Sequence, residues 1–368
     1  MRYPVRVMQS KPSRRGVTRS CFLFMVLTGC AAPPGAPTAL GEGLPAMSGL
    51  IHRNLEVNGI RIHVVEQGEG PLVLLVHGFP ESWYSWRHQL PALAAAGYRA
   101  VAMDVRGYGR SSKPGSIVEY RMTRLVEDIV GLVGALGEER AVLVGHDWGA
   151  PIAWNATLTR PDLFAGLVLI SVPYHPRSSM TPSQFYRAMA GEDELYMEYF
   201  QEPGRAEAEI EADVRDWLAS FYHSLSGDAP ADLPNFAIVP RGARLRDRLR
   251  RPEKLPPWLS EADLDFYVAE FERTGFAGAL NRYRNIERDW EDLAAFEDRP
   301  IEIPALFIGG SRDGPTQWGA AAIERLPQTM PKLYRSVVLE GCGHWIQQER
   351  PEATNALLAE FLDALRSS

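Results

Sequence analysis

The chain has 368 residues, 45% hydrophobic and 10% aromatic, enough to bury a large core as one big domain or two smaller ones. Its formal net charge is −7 with both signs scattered. No basic block, zinc-ligand spacing or glycine-rich phosphate loop occurs, which argues against nucleic acid and nucleotides as partners.

Lys11, Arg14, Arg15 and Arg19 precede the apolar run "CFLFMVLTG", residues 21–29. That is a charged region followed by an apolar core too short to span a bilayer, the pattern of a signal peptide. It ends in "LTGC", Leu27 to Cys30, which resembles a bacterial lipobox. The resemblance implies removal of residues 1–29 and lipidation of Cys30, so the expected location is the cell envelope, held to a membrane by the lipid alone. The three cysteines agree: Cys21 lies in the signal, Cys30 at the lipobox, and Cys342 is left without a partner, so no disulfide framework is expected. Residues 30–49, rich in Pro, Gly and Ala without periodicity, read as a linker.

From Leu50 strands and helices alternate. "IRIHVVEQG" reads as an alternating strand, and "PLVLLVHG" (71–78) as a strand buried on both faces. Further strands follow at 99–107, before the helix Thr123–Leu136, then in "AVLVGHDWG", at 163–171, 304–310 and 335–343, with an amphipathic helix from Pro351 to Leu365. This predicts a mostly parallel, doubly wound α/β sheet. Between Val172 and Pro300 the rhythm breaks into helical segments. Thr181, Pro182 and Gln184 form a capping box, and Ser260 and Gly275 bound another helix. The expected organisation is a first core part at 50–173, a helical lid at 174–299 and a second core part at 300–368.

"LVGHDWGAP" (143–151) has the form of a nucleophile elbow, a sharp strand-to-helix turn in which Gly145 and Gly149 make room for the residue between them. That residue is Asp147 where a serine is usual. The N–H of Trp148 and the N–H of Phe79, in "VHGFPESWYSWR" (76–87), are the expected oxyanion donors, and Phe79–Pro80 is a candidate cis bond. In this topology the acid and then the histidine follow the nucleophile. "SRDG" offers Asp313 and "GCGHW" offers His344, each after a strand. Of the eight histidines, His52 and His63 lie on edge-like segments, His88 on a helix, and His175 and His223 in the lid; His77 and His146 read as structural.

A carboxylate attacking an acyl group would form an anhydride. Its natural task is displacement at saturated carbon, giving an ester on Asp147 that water activated by His344 can resolve at the oxyanion hole. An epoxide oxygen or a halide could leave. The epoxide needs a hydrogen-bond donor, and lid tyrosines suit that task because they are neutral at pH 7.

"HGFPESWYSWR", "DVRGYGRSSKP", "GHDWGA", "YFQEPGRAEAEIE", "LNRYRNIERDW" and "GCGHWIQQERPE" resemble the soluble epoxide hydrolases of the α/β-hydrolase fold, over about residues 50 to 366. The resemblance implies Tyr196 and Tyr283 as the paired ring-opening donors, an apolar epoxide and water as substrates, and no metal or organic cofactor. Arg282 stands where family members often have Trp. Trp83, Trp86 and Trp148 are expected to line the pocket. Haloalkane dehalogenases share the Asp–Trp elbow, but they usually carry Asn at the place of Phe79 and lack the tyrosine pair. A non-catalytic binding protein on the same scaffold is the other alternative; a degraded triad would favour it, and all three members are present.

Overall fold

The computed structural model describes residues 49–367 except Ala231 and Pro234; the signal-like segment, Cys30 and nearly all of the linker lie outside them. The strands are β1 (Ile51–Val57), β2 (Ile60–Gln67), β3 (Leu72–Val76), β4 (Arg99–Met103), β5 (Ala141–His146), β6 (Phe164–Ile170), β7 (Glu194–Leu195), β8 (Ile238–Val239), β9 (Ala305–Gly310) and β10 (Leu333–Leu339). Eight of them form one sheet in the order β1-β2-β4-β3-β5-β6-β9-β10. β1 and β2 are an antiparallel hairpin turning at Asn58 and Gly59, both at positive φ as a tight two-residue turn requires. β2 runs antiparallel to β4, and every later pairing is parallel.

Burial explains the sequence runs. All residues of β3, β5 and β9 are buried, as expected where helices cover both faces of a parallel sheet. Burying the side chains of β3 alone stabilises the fold by on the order of 10 kcal/mol before chain entropy is subtracted. The edges are different: Ile51 on β1 and Tyr334 and Val338 on β10 are exposed. One expectation changes. β2 has an alternating sequence, yet Ile62 to Glu66 are all buried. His63 is accommodated because its Nδ1 meets Asp104 Oδ2 at 2.7 Å and its ring stacks on His52.

The predicted helices occur at Met122–Ala135 and Pro351–Arg366. In the lid, Thr181 and Gln184 cap Pro182–Ala190 reciprocally, and Ser260 and Asp263 do the same for Glu261–Thr274, which stops at Gly275 with φ +65°. The lid also holds an unexpected antiparallel ribbon, β7 with β8. Its strands are too short to show any alternation in sequence. It matters because Tyr196 follows β7, anchored by its N–H to the Ala237 carbonyl at 2.8 Å. Lid and sheet belong to one compact unit. Among the described residues no helix is long and apolar enough to cross a membrane.

Register brings the parallel strands to a common edge: Val76 lies beside Met103 and Gly145, His146 beside Ile170, and Ile170 beside Ile308. Open α/β sheets place their ligands outside the carboxyl ends of the strands. The loops leaving this edge carry Phe79, Asp147, Ser171, Asp313 and His344.

Candidate active site

Asp147 sits at the end of β5 with φ +51°, a strained left-handed conformation for a residue with a side chain. The glycines around it are sterically required. A Cβ on Gly145 would lie 2.2 Å from the Gly149 carbonyl oxygen, one on Gly149 would lie 2.0 Å from that of Val76, and one on Gly78 would lie 2.2 Å from Asp147 Oδ1. The turn therefore projects the carboxylate from the sheet edge, and Trp148 starts the helix Gly149–Thr159, whose N-terminal dipole favours negative charge.

The carboxylate has two partners. Its Oδ1 accepts the Phe79 N–H at 2.8 Å, and its Oδ2 lies 3.6 Å from His344 Nε2. On its other side His344 Nδ1 meets Asp313 Oδ1 at 2.8 Å. Phe79–Pro80 is cis, as the sequence led us to expect. Burial works against charge on His344, but Asp313 and Asp147 outweigh it and push its pKa up to about 10. Burial likewise opposes charge on Asp147, yet the hydrogen bond and charge of His344, with help from the Phe79 N–H, hold that carboxyl below its ordinary range. The resting pair is an imidazolium between two carboxylates.

Three supports were not anticipated. Ser171 Oγ donates to Asp313 Oδ2 at 2.8 Å, and Thr316 Oγ1 donates to the same oxygen at 2.7 Å. Glu81, wholly buried, accepts from Gln347 and Gln348 and stands 2.8 Å from His146 Nδ1. His146 Nε2 then reaches the His344 carbonyl at 2.8 Å, so His146 is structural, as is His77, whose Nε2 accepts the Val105 N–H. The lid supplies the third support through the helix Val214–Ser224 and the residue after it. Tyr222 Oη donates to the Pro80 carbonyl at 2.5 Å, its own carbonyl accepts the Trp345 indole at 2.9 Å, and the Leu225 carbonyl accepts the His344 N–H at 2.8 Å. Glu81, Gln347, Gln348 and Trp345 lay in segments that stood out in sequence. Nothing in the sequence marks Ser171 or Tyr222.

Tyr196 and Tyr283 come together with ring centroids 6.1 Å apart, close enough to Asp147 for its charge to act on both. Burial raises both phenol pKa values well above 10, and the negative charge of Asp147 adds to the rise in each, so both remain neutral donors. Phe79, Phe200 and Trp148 pack on Tyr283. Trp83 and Trp86 do not share this wall, contrary to expectation. Trp83 belongs to the short 3₁₀ turn Trp83–Trp86, and its ring packs on His52, Tyr84 and Phe266, while Trp86 is fully buried in the core. Among the described residues neither ring stacks on Asp147's aromatic neighbours; Phe200, Trp217, Phe221 and Phe276 are the rings that pack on Phe79 beside it. Arg282 lies over the Trp148 ring, 4.7 Å from its centroid, and pairs with buried Asp289.

A carboxylate at an elbow, a histidine–aspartate pair behind it and a helical lid are the parts of an α/β hydrolase of the aspartate-nucleophile class. Comparison with known proteins agrees. The alpha/beta hydrolase fold family matches residues 71–351. Epoxide hydrolase B of Mycobacterium tuberculosis is 46% identical, the match covering 86% of this chain and 99% of that protein. The structure of an epoxide hydrolase from an endophytic Streptomyces superposes with a TM-score of 0.85 at 59% identity, covering 87% of this chain and 97% of that one. Epoxide hydrolase A of Mycobacterium thermoresistibile does so with 0.81 at 46%, covering 85% and 98%. The chain belongs to the α/β hydrolase family, and within it to the epoxide hydrolases.

Proposed function

We propose that the enzyme converts an apolar epoxide to a vicinal diol through an ester on Asp147. Asp147 Oδ2 attacks a ring carbon, the carbon–oxygen bond breaks, and the oxygen takes a proton from Tyr196 or Tyr283, which regains one from solvent. Forming the ester removes one of the two negative charges flanking His344. Its imidazole then releases its proton to solvent and accepts one from water at Nε2, while the water oxygen attacks the Asp147 carboxyl carbon. The N–H groups of Phe79 and Trp148 hold the resulting oxyanion. Collapse breaks the ester bond, the departing diol oxygen takes the proton held by His344, and the proton left on the Asp147 carboxyl passes to His344, which restores the resting state.

The observation that carries this reading is the continuous contact from Asp313 through His344 to Asp147, with Phe79 N–H already on Asp147 Oδ1. The paired tyrosines favour an epoxide over a halide, since a halide leaves without a proton. The test is one turnover in heavy-oxygen water. Label must enter the Asp147 carboxylate; label confined to the diol would show that water attacks the epoxide directly.

We propose also that residues 1–29 are removed and that Cys30 carries lipid, which would hold the enzyme at a membrane surface on the linker. The support is the run from Lys11 to Cys30. More than one acyl chain gives firm anchoring, at about 0.8 kcal/mol per buried CH₂. Wild type should enter the detergent phase and take up labelled palmitate, and Cys30→Ala should not; a soluble, unlabelled wild type beginning at Met1 would refute this.

A further inference from the structure

Among the described residues four non-glycines have positive φ: Asn58, Asp147, Ser171 and Asp298. Asn and Asp visit that region more readily than other residues, and Asn58 does so in a hairpin turn. Ser171 has no such excuse. It directly follows β6, the strand beside the elbow, is wholly buried, and has φ +73°. The Val172 N–H closes on the Ile170 carbonyl at 3.0 Å, so Ser171 is the centre of a three-residue turn of the rare positive-φ kind. Two neighbouring strands thus end in strained residues, and both aim their side chains at the same imidazole. Strain of this kind persists where the surroundings hold it, and it gathers at functional sites.

The side chain shows what the strain serves. Ser171 Oγ is 2.8 Å from Asp313 Oδ2 and 3.1 Å from His344 Nδ1. Thr316 brings its hydroxyl to 2.7 Å and its N–H to 3.2 Å of that same carboxylate oxygen, and Thr316 Oγ1 is also 3.1 Å from the Ser171 carbonyl. Asp313 Oδ2 is therefore saturated by hydroxyl and amide donors. Only Oδ1 faces the Nδ1–H of His344, and the carboxylate cannot turn without giving up these bonds.

We propose that Ser171, seconded by Thr316, is a positioning residue for the water-activating step. It locks the Asp313 carboxylate and offers the Nδ1–H a second, off-axis acceptor, so that the imidazole keeps Nε2 directed at Asp147. This rests on the reading of Asp147 and His344 given above. Ring opening draws on Asp147 Oδ2 and the tyrosines; the base acts in hydrolysis of the ester. The effect of losing the clamp falls on the second step.

The experiment is rapid mixing of an aryl epoxide such as styrene oxide with wild type, Ser171→Gly, Thr316→Val and Thr316→Ser. Ester on the Asp147 peptide is followed by quenching and mass spectrometry, and Tm is measured alongside. Glycine is unstrained at φ +73°, so in Ser171→Gly relief of backbone strain offsets part of the stability lost with the bond from the hydroxyl to Asp313. The expected result is ester formation within about threefold of wild type, ester hydrolysis slower by about tenfold or more, a part of the 10²–10⁴ that a general base contributes, and Tm within a few degrees of wild type. Thr316→Val should behave likewise, and Thr316→Ser should keep wild-type hydrolysis. Hydrolysis by Ser171→Gly within twofold of wild type overturns the proposal. So does a parallel fall of both steps with a lower Tm, which marks a packing role. Absence of ester in wild type overturns the reading of Asp147 itself, and the clamp with it.

Discussion

Replacing Asp147 by Asn isolates the charge that the first chemical step removes. Asn keeps the shape of the side chain and can still accept the Phe79 N–H, but it carries no charge. The interaction lost is that between Asp147 Oδ2 and His344 Nε2 at 3.6 Å. At an effective dielectric constant of 20, Coulomb's law puts it at about 4–5 kcal/mol, and 1.36 kcal/mol corresponds to one pH unit, so roughly three units is the ceiling. The His344 pKa, about 10 in the resting enzyme, should fall to between about 7 and 9 in Asp147→Asn. Its value in the folded protein lies above the ordinary 6.5, so its protonation stabilises the fold fully below pH 6.5, and that contribution is lost as pH rises toward 10. In the variant the alkaline loss should end at the lower pKa. NMR titration of the His344 ring measures the shift, and denaturant unfolding across pH measures its linkage to stability. A His344 that still titrates near pH 10 in Asp147→Asn would refute the reasoning. The ester is as uncharged as Asn, so the same arithmetic says that ring opening itself turns a stable imidazolium into a base that works near neutral pH.

Losing one lid hydroxyl, in Tyr196→Phe or Tyr283→Phe, should slow ester formation by roughly 10²-fold or less because the second donor remains; the double variant should nearly abolish ring opening and keep its fold by circular dichroism. Gly78→Ala places a Cβ 2.2 Å from Asp147 Oδ1, so it should displace the nucleophile and cost at least about 10²-fold in kcat/KM for the epoxide. Asp289→Ala leaves the Arg282 guanidinium buried without its counter-charge; thermal or urea unfolding should show a loss of about 3–5 kcal/mol.

The sheet and the triad were readable in sequence because their physics is local. An apolar run such as "LVLLV" has few options but a doubly covered strand, and the Gly145 and Gly149 spacing around Asp147 reports a steric need within a few residues. The lid tyrosines were readable only through family resemblance: nothing near Tyr196 or Tyr283 shows that they meet, and Tyr196 is set by a ribbon whose strands are too short to carry a pattern. Ser171 was invisible for a related reason. Its partners, Asp313 and His344, are 142 and 173 residues away, and serine at a strand end is an ordinary turn residue. Trp83 and Trp86 failed in the opposite direction. Their place in the oxyanion-loop motif pointed toward the pocket, but the 3₁₀ turn they occupy packs them into the core and against the lid helix that carries Phe266.

The helix Val214–Ser224 and its following turn touch the oxyanion loop at Pro80 and the histidine loop at His344 and Trp345. Those two loops leave different strands, and this segment spans the gap between them like a ruler laid across two marks. A lid swinging open at this point would give up these bonds and carry the base away from the oxyanion donors. Grafting a relative's lid onto this core to change its substrate would reset that distance too. Such chimeras will keep their ester-hydrolysing power only if the segment from Tyr222 to Leu225 is left with the core it aligns.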